Sequence, residues 1–261
     1  MYHFILLKSD FMEKNNTIYH NMGYWGLLLI VLAFAGFYTS YLLVIFQPKV
    51  PIIHVHFTLL TLWMLMLIAQ PFLIKYKKLS IHRLLGKISY VLVPLVLISS
   101  FLMIRHAYYR DIGQLRQDAA LGLNHLNDNQ ILQQTAASIA IAVVWFLWFF
   151  VFYSLAIINR RKSNIHARYM VATALSLLGP IVDRIVFNLE ILEKLGTYIP
   201  LYSIAFLIAD SVLAILLLKD YKNKLPTKTL RTSLLIYIIG QVLFFTVPKT
   251  EVWQHIVEWL L

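Results

Sequence analysis

Long apolar stretches separated by short polar loops recur along the whole chain. A bilayer core about 30 Å thick is crossed by about 20 residues of α-helix, and seven stretches have roughly that length. They are polar on no face, whereas a helix on the surface of a soluble domain has one polar side. The predicted spans cover approximately residues 24–46, 52–74, 84–105, 135–158, 167–188, 200–218 and 231–247. The pattern predicts an all-α, polytopic membrane helix bundle with seven transmembrane helices.

The composition supports the same class of protein. Hydrophobic residues make up 60% of the chain and charged residues only 13%, whereas about a quarter of an ordinary soluble domain is charged. This amount of polar surface is too small to cover a globular protein in water. A lipid bilayer is therefore the expected environment. The chain contains no cysteine, which excludes disulfides, thiolate zinc sites and iron–sulfur clusters.

The positive charges indicate an orientation. The net charge is +11, and most of the 23 Lys and Arg fall in four segments, 1–23, 75–87, 159–168 and 219–231. The segments that alternate with these carry few basic residues, which is the distribution of the positive-inside rule and not of a nucleic-acid-binding surface. We therefore expect a multi-pass protein of the bacterial cytoplasmic (inner) membrane, with a cytoplasmic N-terminus, an outer C-terminus and no nucleic-acid partner.

Four regions follow from these boundaries. Residues 1–23 form a cytoplasmic N-terminal segment, which carries acidic residues and lacks the small-residue cleavage site of a signal peptide. Residues 24–247 form the transmembrane domain, in which 52–188 is the expected functional core. The connection 105–134 is polar and mostly compatible with helix, so it is predicted to cap the bundle on the outer side. The tail 248–261 has apolar residues at helical spacing and is predicted to lie along the outer interface.

Two of the basic loops resemble each other. Residues 78–83 read KLSIHR and residues 162–168 read KSNIHAR, and in each an Ile-His pair opens the next span. Two explanations are open: spans 2–3 and 4–5 are related units, or two short basic loops are alike by chance. If the spans are related units, His82 and His166 would occupy equivalent places at the cytoplasmic face.

The remaining candidate histidines belong to a second layer. His106 lies about 36 Å along the helix from His82, so these two cannot share a ligand, whereas His54 or His56 can meet His106 at the outer face. Imidazole is the commonest metal ligand, and helix bundles bring cofactor ligands together in their cores. Histidines at both faces suit haem-mediated electron transfer. The alternative is that each one lies in the headgroup region and contacts water or phosphate.

Ionisable residues inside the spans are a second signal. Asp183 and Arg184 follow the Gly179–Pro180 break in span 5, and Asp210 lies in span 6. Because charge in lipid is costly, such groups usually face the interior of a bundle. They favour an alternative function, a transporter or an accessory subunit that contacts other membrane protein subunits. The alternative is that these residues have a structural role, as an internal ion pair that joins helices.

A third alternative is a metal-dependent membrane enzyme. His56, His106 and Asp183, with His54 and Glu190 near them, could bind zinc or another divalent metal through three nitrogen or oxygen ligands at the outer face. The chain has no HExxH motif, which makes this class less favoured.

The stretch from residue 54 to about 187 resembles an uncharacterised bacterial family of multi-pass membrane proteins, a domain of unknown function with HRxLGR and HRRWM motifs. The corresponding positions here are His54 or His56, His82-Arg83-Leu84-Leu85-Gly86-Lys87, Trp145 or Trp148, His166-Ala167-Arg168-Tyr169-Met170, and Arg184. The chain departs from the motifs at Lys87, Ala167 and Tyr169, but every histidine is kept. The resemblance supports spans 2–5 as the functional unit and names no substrate.

The architecture is also similar to that of transmembrane b-type diheme cytochromes, as an analogy of form. Our leading hypothesis is haem b held by spans 2–5, with electron transfer in or across the membrane. The expected inner ligands are His82 and His166, and the expected outer ones are His106 with His54 or His56. Arg83 and Arg168 would pair with the haem propionates. Span 4 has no histidine, which is a departure from the simplest four-helix scheme.

Overall fold

The computed structural model of the chain describes residues 21–188 and 202–261. The helices are α1 (Met22–Phe37, continued by a π-helical turn, Tyr38–Leu42), α2 (Pro51–Lys75), α3 (Leu79–Ala120), α4 (Asp128–Ile158), α5 (Ser163–Leu175), α6 (Leu178–Asn188), α7 (Tyr202–Lys222), α8 (Lys228–Thr246) and α9 (Glu251–Leu260), with a 3₁₀ turn at Val247–Lys249 before the last. Within these residues, seven segments are long and apolar enough to cross a membrane, and α5 and α6 together form one of them. The chain is an integral, multi-pass membrane protein. The predicted all-α polytopic bundle is confirmed.

The helices α1 and α2 form the first hairpin. Pro51 opens α2 in the first turn, where its missing N–H and fixed φ are tolerated. The two helices approach closely because glycines on α1 face large side chains on α2. A Cβ at Gly26 would lie 3.0 Å from Ile68, and the rings of Tyr24 and Phe72 meet edge to face at 5.2 Å.

The helix α3 is much longer than a membrane crossing. Its 42 residues would extend about 63 Å at 1.5 Å per residue. It ends before Gly122, whose φ of +73° is the left-handed conformation that terminates helices. A capping box between Asn127 and Gln130 then starts α4. The connection predicted as a cap is therefore mostly an extension of α3 and α4 beyond the apolar spans.

The fifth span is broken. The helix α5 ends at Leu175 and α6 begins at Leu178, just before the Gly179–Pro180 pair predicted as a break. Proline at position 180 has no N–H to donate and its ring would collide with the carbonyl four residues earlier. The indole of Trp145 on α4 packs directly on Gly179. The glycine allows the broken span to approach α4.

Aromatic side chains fill two parts of the bundle interior. Tyr237 on α8 stacks on Phe152 at 5.0 Å and lies 4.3 Å from Trp148, between ring centroids. A separate cluster joins α2, α3 and α4 around Trp63, which is 1% exposed, and Tyr153. These rings fill the interior between the helices, and the histidines lie towards the two ends of the bundle.

The end that carries the basic loops 75–87, 159–168 and 219–231 is called the inner end below, and the opposite end the outer end. At the outer end α9 packs back on α4. The indole N–H of Trp253 donates to the carbonyl of Ala136 at 2.7 Å, and Val257 is buried.

Candidate functional site

The inner end brings together the two histidines of the similar loops. His82 lies in the first turn of α3 and His166 in the first turn of α5. Both are half-buried, and they are close enough to each other for their charges to interact. The two loops therefore present their imidazoles in one region, which we call the inner histidine pair.

His166 is held in one tautomer. Its Nδ1 lies 2.9 Å from the carbonyl oxygen of Ala156 on α4. A carbonyl can only accept, so Nδ1 must carry the proton and donate it. The lone pair of this imidazole is consequently on Nε2. Metal-ligating histidines commonly donate their other ring N–H in this way.

The surroundings of His82 are less complete. Its Nδ1 is buried and has no hydrogen-bond partner among the described residues, and neither has Oε1 of Gln70 on α2. The Gln70 amide donates through Nε2 to the backbone carbonyl of His82 at 3.2 Å. Gln70 therefore attaches the start of α3 to α2, while the two unpaired atoms leave polar capacity beside the imidazole.

There is space next to this imidazole. Gly86 lies four residues after His82 and so on the same side of α3. A Cβ built on it would meet only Nε2 of Gln70 within 4 Å, at 3.9 Å. One turn further, the hydroxyls of Ser89 and Tyr153 are hydrogen-bonded at 2.9 Å. Beyond this polar pair the aromatic cluster around Trp63 closes the interior.

A buried ion pair lies near the inner histidine pair. Arg168 on α5 donates from Nε to Oδ2 of Asp220 on α7 at 2.7 Å, and Nη2 is also 2.7 Å from that oxygen. Both side chains are almost fully buried, and Nη1 donates to the carbonyl of Asn164 at 2.8 Å. Arg168, predicted to pair with a propionate, is thus engaged by Asp220. Asp220 gives little sequence signal of a buried ion pair because it lies among lysines at the end of a span.

At the outer end His56 and His54 have separate partners. His56 Nδ1 is 3.1 Å from Oγ of Ser99 on α3, and that hydroxyl donates its only hydrogen to the carbonyl of Val96 at 2.9 Å. His56 Nδ1 must therefore be the donor, which places the lone pair of the neutral ring on Nε2. His54 Nδ1 is 2.8 Å from the hydroxyl of Tyr41 in the π-helical turn after α1. No sequence motif links Ser99 or Tyr41 to these histidines, because each pair lies on different helices.

The arginine of the broken span lies beside this outer region. The guanidinium of Arg184 is 4.5 Å from the ring centroid of Phe37, and Nη1 donates to the carbonyl of Pro180 at 3.3 Å. It is also within electrostatic range of His56 and of the adjacent Asp183. A ring face and a backbone carbonyl stabilise this charge.

The described residues contain no group of three histidine, aspartate or glutamate side chains placed to hold a metal ion. His56, His106 and Asp183 are therefore not brought together as a ligand set in residues 21–188. No hydrogen bond in that range joins His106 to His54 or His56. Glu190, which completed the predicted cluster, lies outside the described residues, as does most of the N-terminal segment 1–23.

Asp210 has a polar partner within the bundle. Both of its carboxylate oxygens accept from Nε2 of Gln241 on α8, at 3.1 and 3.0 Å. The aspartate is half-buried, so the pair joins α7 to α8 in the apolar part of the bundle. A glutamine inside an apolar span was the available sequence signal for this partner.

Comparison with known proteins identified no related protein. No family model, curated protein or solved structure matches the chain. The resemblance to the uncharacterised family stays a prediction from the motifs. Assignment of a function therefore depends on the residues and contacts described above.

Proposed function

We propose that this integral membrane protein binds haem b through His82 and His166 and transfers electrons at the inner end of the bundle. The observation that carries the proposal is the inner histidine pair itself. Two imidazoles from different helices lie within electrostatic range of each other. One of them has its Nδ1 proton fixed by a backbone carbonyl.

The donor set favours haem over a zinc-type centre. A haem iron needs only two axial ligands from the protein, and neutral imidazole is a common one. Structural zinc takes four protein ligands and catalytic zinc usually three, whereas the described residues gather no such group of three. Two imidazoles with no third ligand-type side chain grouped with them in the described part of the chain therefore fit a bis-histidine haem best.

The space and the unpaired polar atoms around His82 also favour haem binding at the inner end. The open side of Gly86 adjoins His82, and the buried Nδ1 of His82 and Oε1 of Gln70 have unused hydrogen-bonding capacity. Further from the inner end, the rings of Trp63 and Tyr153 are packed against each other. The inner end, and not the middle of the bundle, is thus the region suited to haem.

The protein residues have distinct roles in this proposal. The Ala156 carbonyl holds the His166 imidazole in the tautomer that presents Nε2, and Gln70 positions the first turn of α3. Arg83 follows His82 and is exposed, so its guanidinium is the available counter-charge for propionates, because Arg168 already pairs with Asp220. When bound, the haem supplies a one-electron carrier. The bacterial cytoplasmic membrane remains the proposed location, since the basic loops favour that orientation.

The experiment is a reduced-minus-oxidised absorption spectrum of protein purified from haem-replete cells. We expect a Soret band that shifts on dithionite reduction. His82→Ala and His166→Ala should each lower bound haem severalfold, whereas His125→Ala, in the loop between α3 and α4, should leave it unchanged. Absence of the band from the wild-type protein, or equal haem content in all variants, would contradict the proposal.

Asp210 favours a second candidate function, ion-coupled transport alone or as part of a larger membrane complex. A carboxylate inside a span, held by one neutral amide, is typical of residues that carry ions or protons. Asp210→Asn keeps an oxygen that can accept from Gln241 but removes the charge. The transport proposal expects loss of proton flux into proteoliposomes with unchanged thermal stability. Unaltered flux, or no flux in the wild type, would count against it.

A further inference from the structure

A cavity lined by polar and apolar side chains lies at the outer end, far from the inner histidine pair. It has a volume of about 210 Å³ and opens between the extension of α3, the start of α4 and α9. We call it the outer cavity, and its lining residues are Tyr108, Tyr109, Ile112, Arg116, Leu132 and Glu258. The C-terminal helix supplies the only acidic side chain in this lining.

An unpaired hydroxyl marks the wall of the outer cavity. Tyr108 is 2% exposed, and its buried hydroxyl has no hydrogen-bond partner among the described residues. A buried polar group without a partner is destabilising. A polar molecule in the cavity would give this hydroxyl the partner that residues 21–188 and 202–261 do not.

The two charged side chains in the lining, Arg116 and Glu258, differ in whether a neighbouring charge neutralises them. Arg116 is neutralised by Asp128, with Nε–Oδ1 at 2.7 Å and Nη2–Oδ2 at 3.1 Å. Glu258 accepts one hydrogen bond from the Gln254 amide at 2.9 Å. Its nearest cationic neighbour in the described part of the chain is His255 at 3.8 Å, which counts only when that ring is protonated. Of the two charged residues in this lining, Glu258 is therefore the one without a permanently charged partner within 4 Å among the described residues.

Aromatic rings complete the wall. The rings of Tyr108 and Tyr109, both in the lining, meet edge to face with centroids 5.4 Å apart and an interplanar angle of 73°. Tyr109 already attracts a cation, since the guanidinium of Arg105 lies 5.4 Å from its centroid. Tyrosine faces beside a carboxylate are the surroundings that recognise organic ammonium groups.

We propose that the outer cavity binds a small organic ammonium, with Glu258 as its counter-charge, the tyrosine rings around its cationic head and the Tyr108 hydroxyl bonded to its polar group. The same chemistry is found in a free amino alcohol and in the headgroup of phosphatidylethanolamine. The proposal is independent of haem binding, because the site shares no residue with the inner histidine pair.

Calorimetric titration of the full-length protein in detergent with ethanolamine tests the proposal. Saturable binding is expected in the wild type. Glu258→Gln should weaken it by about tenfold or more, because one charge-assisted hydrogen bond is lost. Tyr108→Phe should weaken it severalfold while keeping the ring. The matched control is Glu251→Gln, on the same helix α9 but outside the lining, which should bind as the wild type does.

Nanodiscs distinguish the two sources of the ammonium. If lipid is the source, phosphatidylethanolamine nanodiscs should abolish titration by free ethanolamine, whereas phosphatidylglycerol nanodiscs should not. If the source is a free amine, titration should persist in both. Absence of saturable binding in the wild type, or binding to Glu258→Gln as tight as to the Glu251→Gln control, overturns the proposal. Melting temperatures of the variants show that each remains folded.

Discussion

Arg168 on α5 and Asp220 on α7 form a buried ion pair, with Nη2 and Oδ2 2.7 Å apart and side chains only 3% and 0% exposed. The arginine lies two residues after His166, in the same turn of helix. The pair therefore joins the helix that carries one histidine of the inner pair to a helix outside the predicted functional core.

Loss of one member of this pair should destabilise the bundle. Asp220→Ala leaves a buried guanidinium without its carboxylate, and breaking a buried ion pair in this way costs about 3–5 kcal/mol. The matched control is Asp128→Ala, which breaks the exposed pair with Arg116 and should change stability little, since water screens that pair. Equal unfolding transitions of the two variants in SDS titrations would show that burial of the ion pair is unimportant.

The contact between Gly179 and Trp145 predicts a steric effect. Gly179→Ala places a methyl group against the buried indole, and overpacking of this kind costs about 1–3 kcal/mol. Gly113→Ala serves as the control. That glycine lies inside α3 with nothing within 4 Å of a built Cβ, so alanine should raise stability by up to about 1 kcal/mol. The prediction fails if thermal unfolding shifts in the same direction for both variants.

The orientation can be tested with single cysteines, because the chain contains none. Leu123→Cys lies in the loop between α3 and α4, where the leucine is 73% exposed. Arg161→Cys lies in a basic inner loop. A membrane-impermeant maleimide added to intact cells should label the first and not the second, whereas both should react after lysis. Labelling of only the second in intact cells would reverse the orientation.

The spans were predictable because burial in lipid requires uninterrupted apolar sequence. The second span, predicted at 52–74, is helical from Pro51 to Lys75. The extension of α3 was harder to predict, since its residues are polar on one side. The sequence evidence for this extension was the spacing of Ile104, Tyr108 and Ile112. These residues are four apart, as on one face of a helix, and all three are buried.

The candidate site was predictable only in part. The matching loops placed His82 and His166 at the same end of the bundle, because both open a span that starts on the same side. The partner of His166 was not predictable, since the Ala156 carbonyl is a backbone group and its side chain carries no signal. The contacts of Gln70 and Asp220 were likewise not predictable, because they depend on how α2 and α7 pack against neighbouring helices.

Electron paramagnetic resonance of the oxidised protein tests the central claim most directly, because the spectrum reports the axial ligands of a ferric haem. We predict a low-spin signal in the wild type and in His125→Ala, and its replacement by a high-spin signal, or its loss, in both His82→Ala and His166→Ala. A low-spin signal that persists unchanged in either of these two variants would contradict ligation by the inner histidine pair.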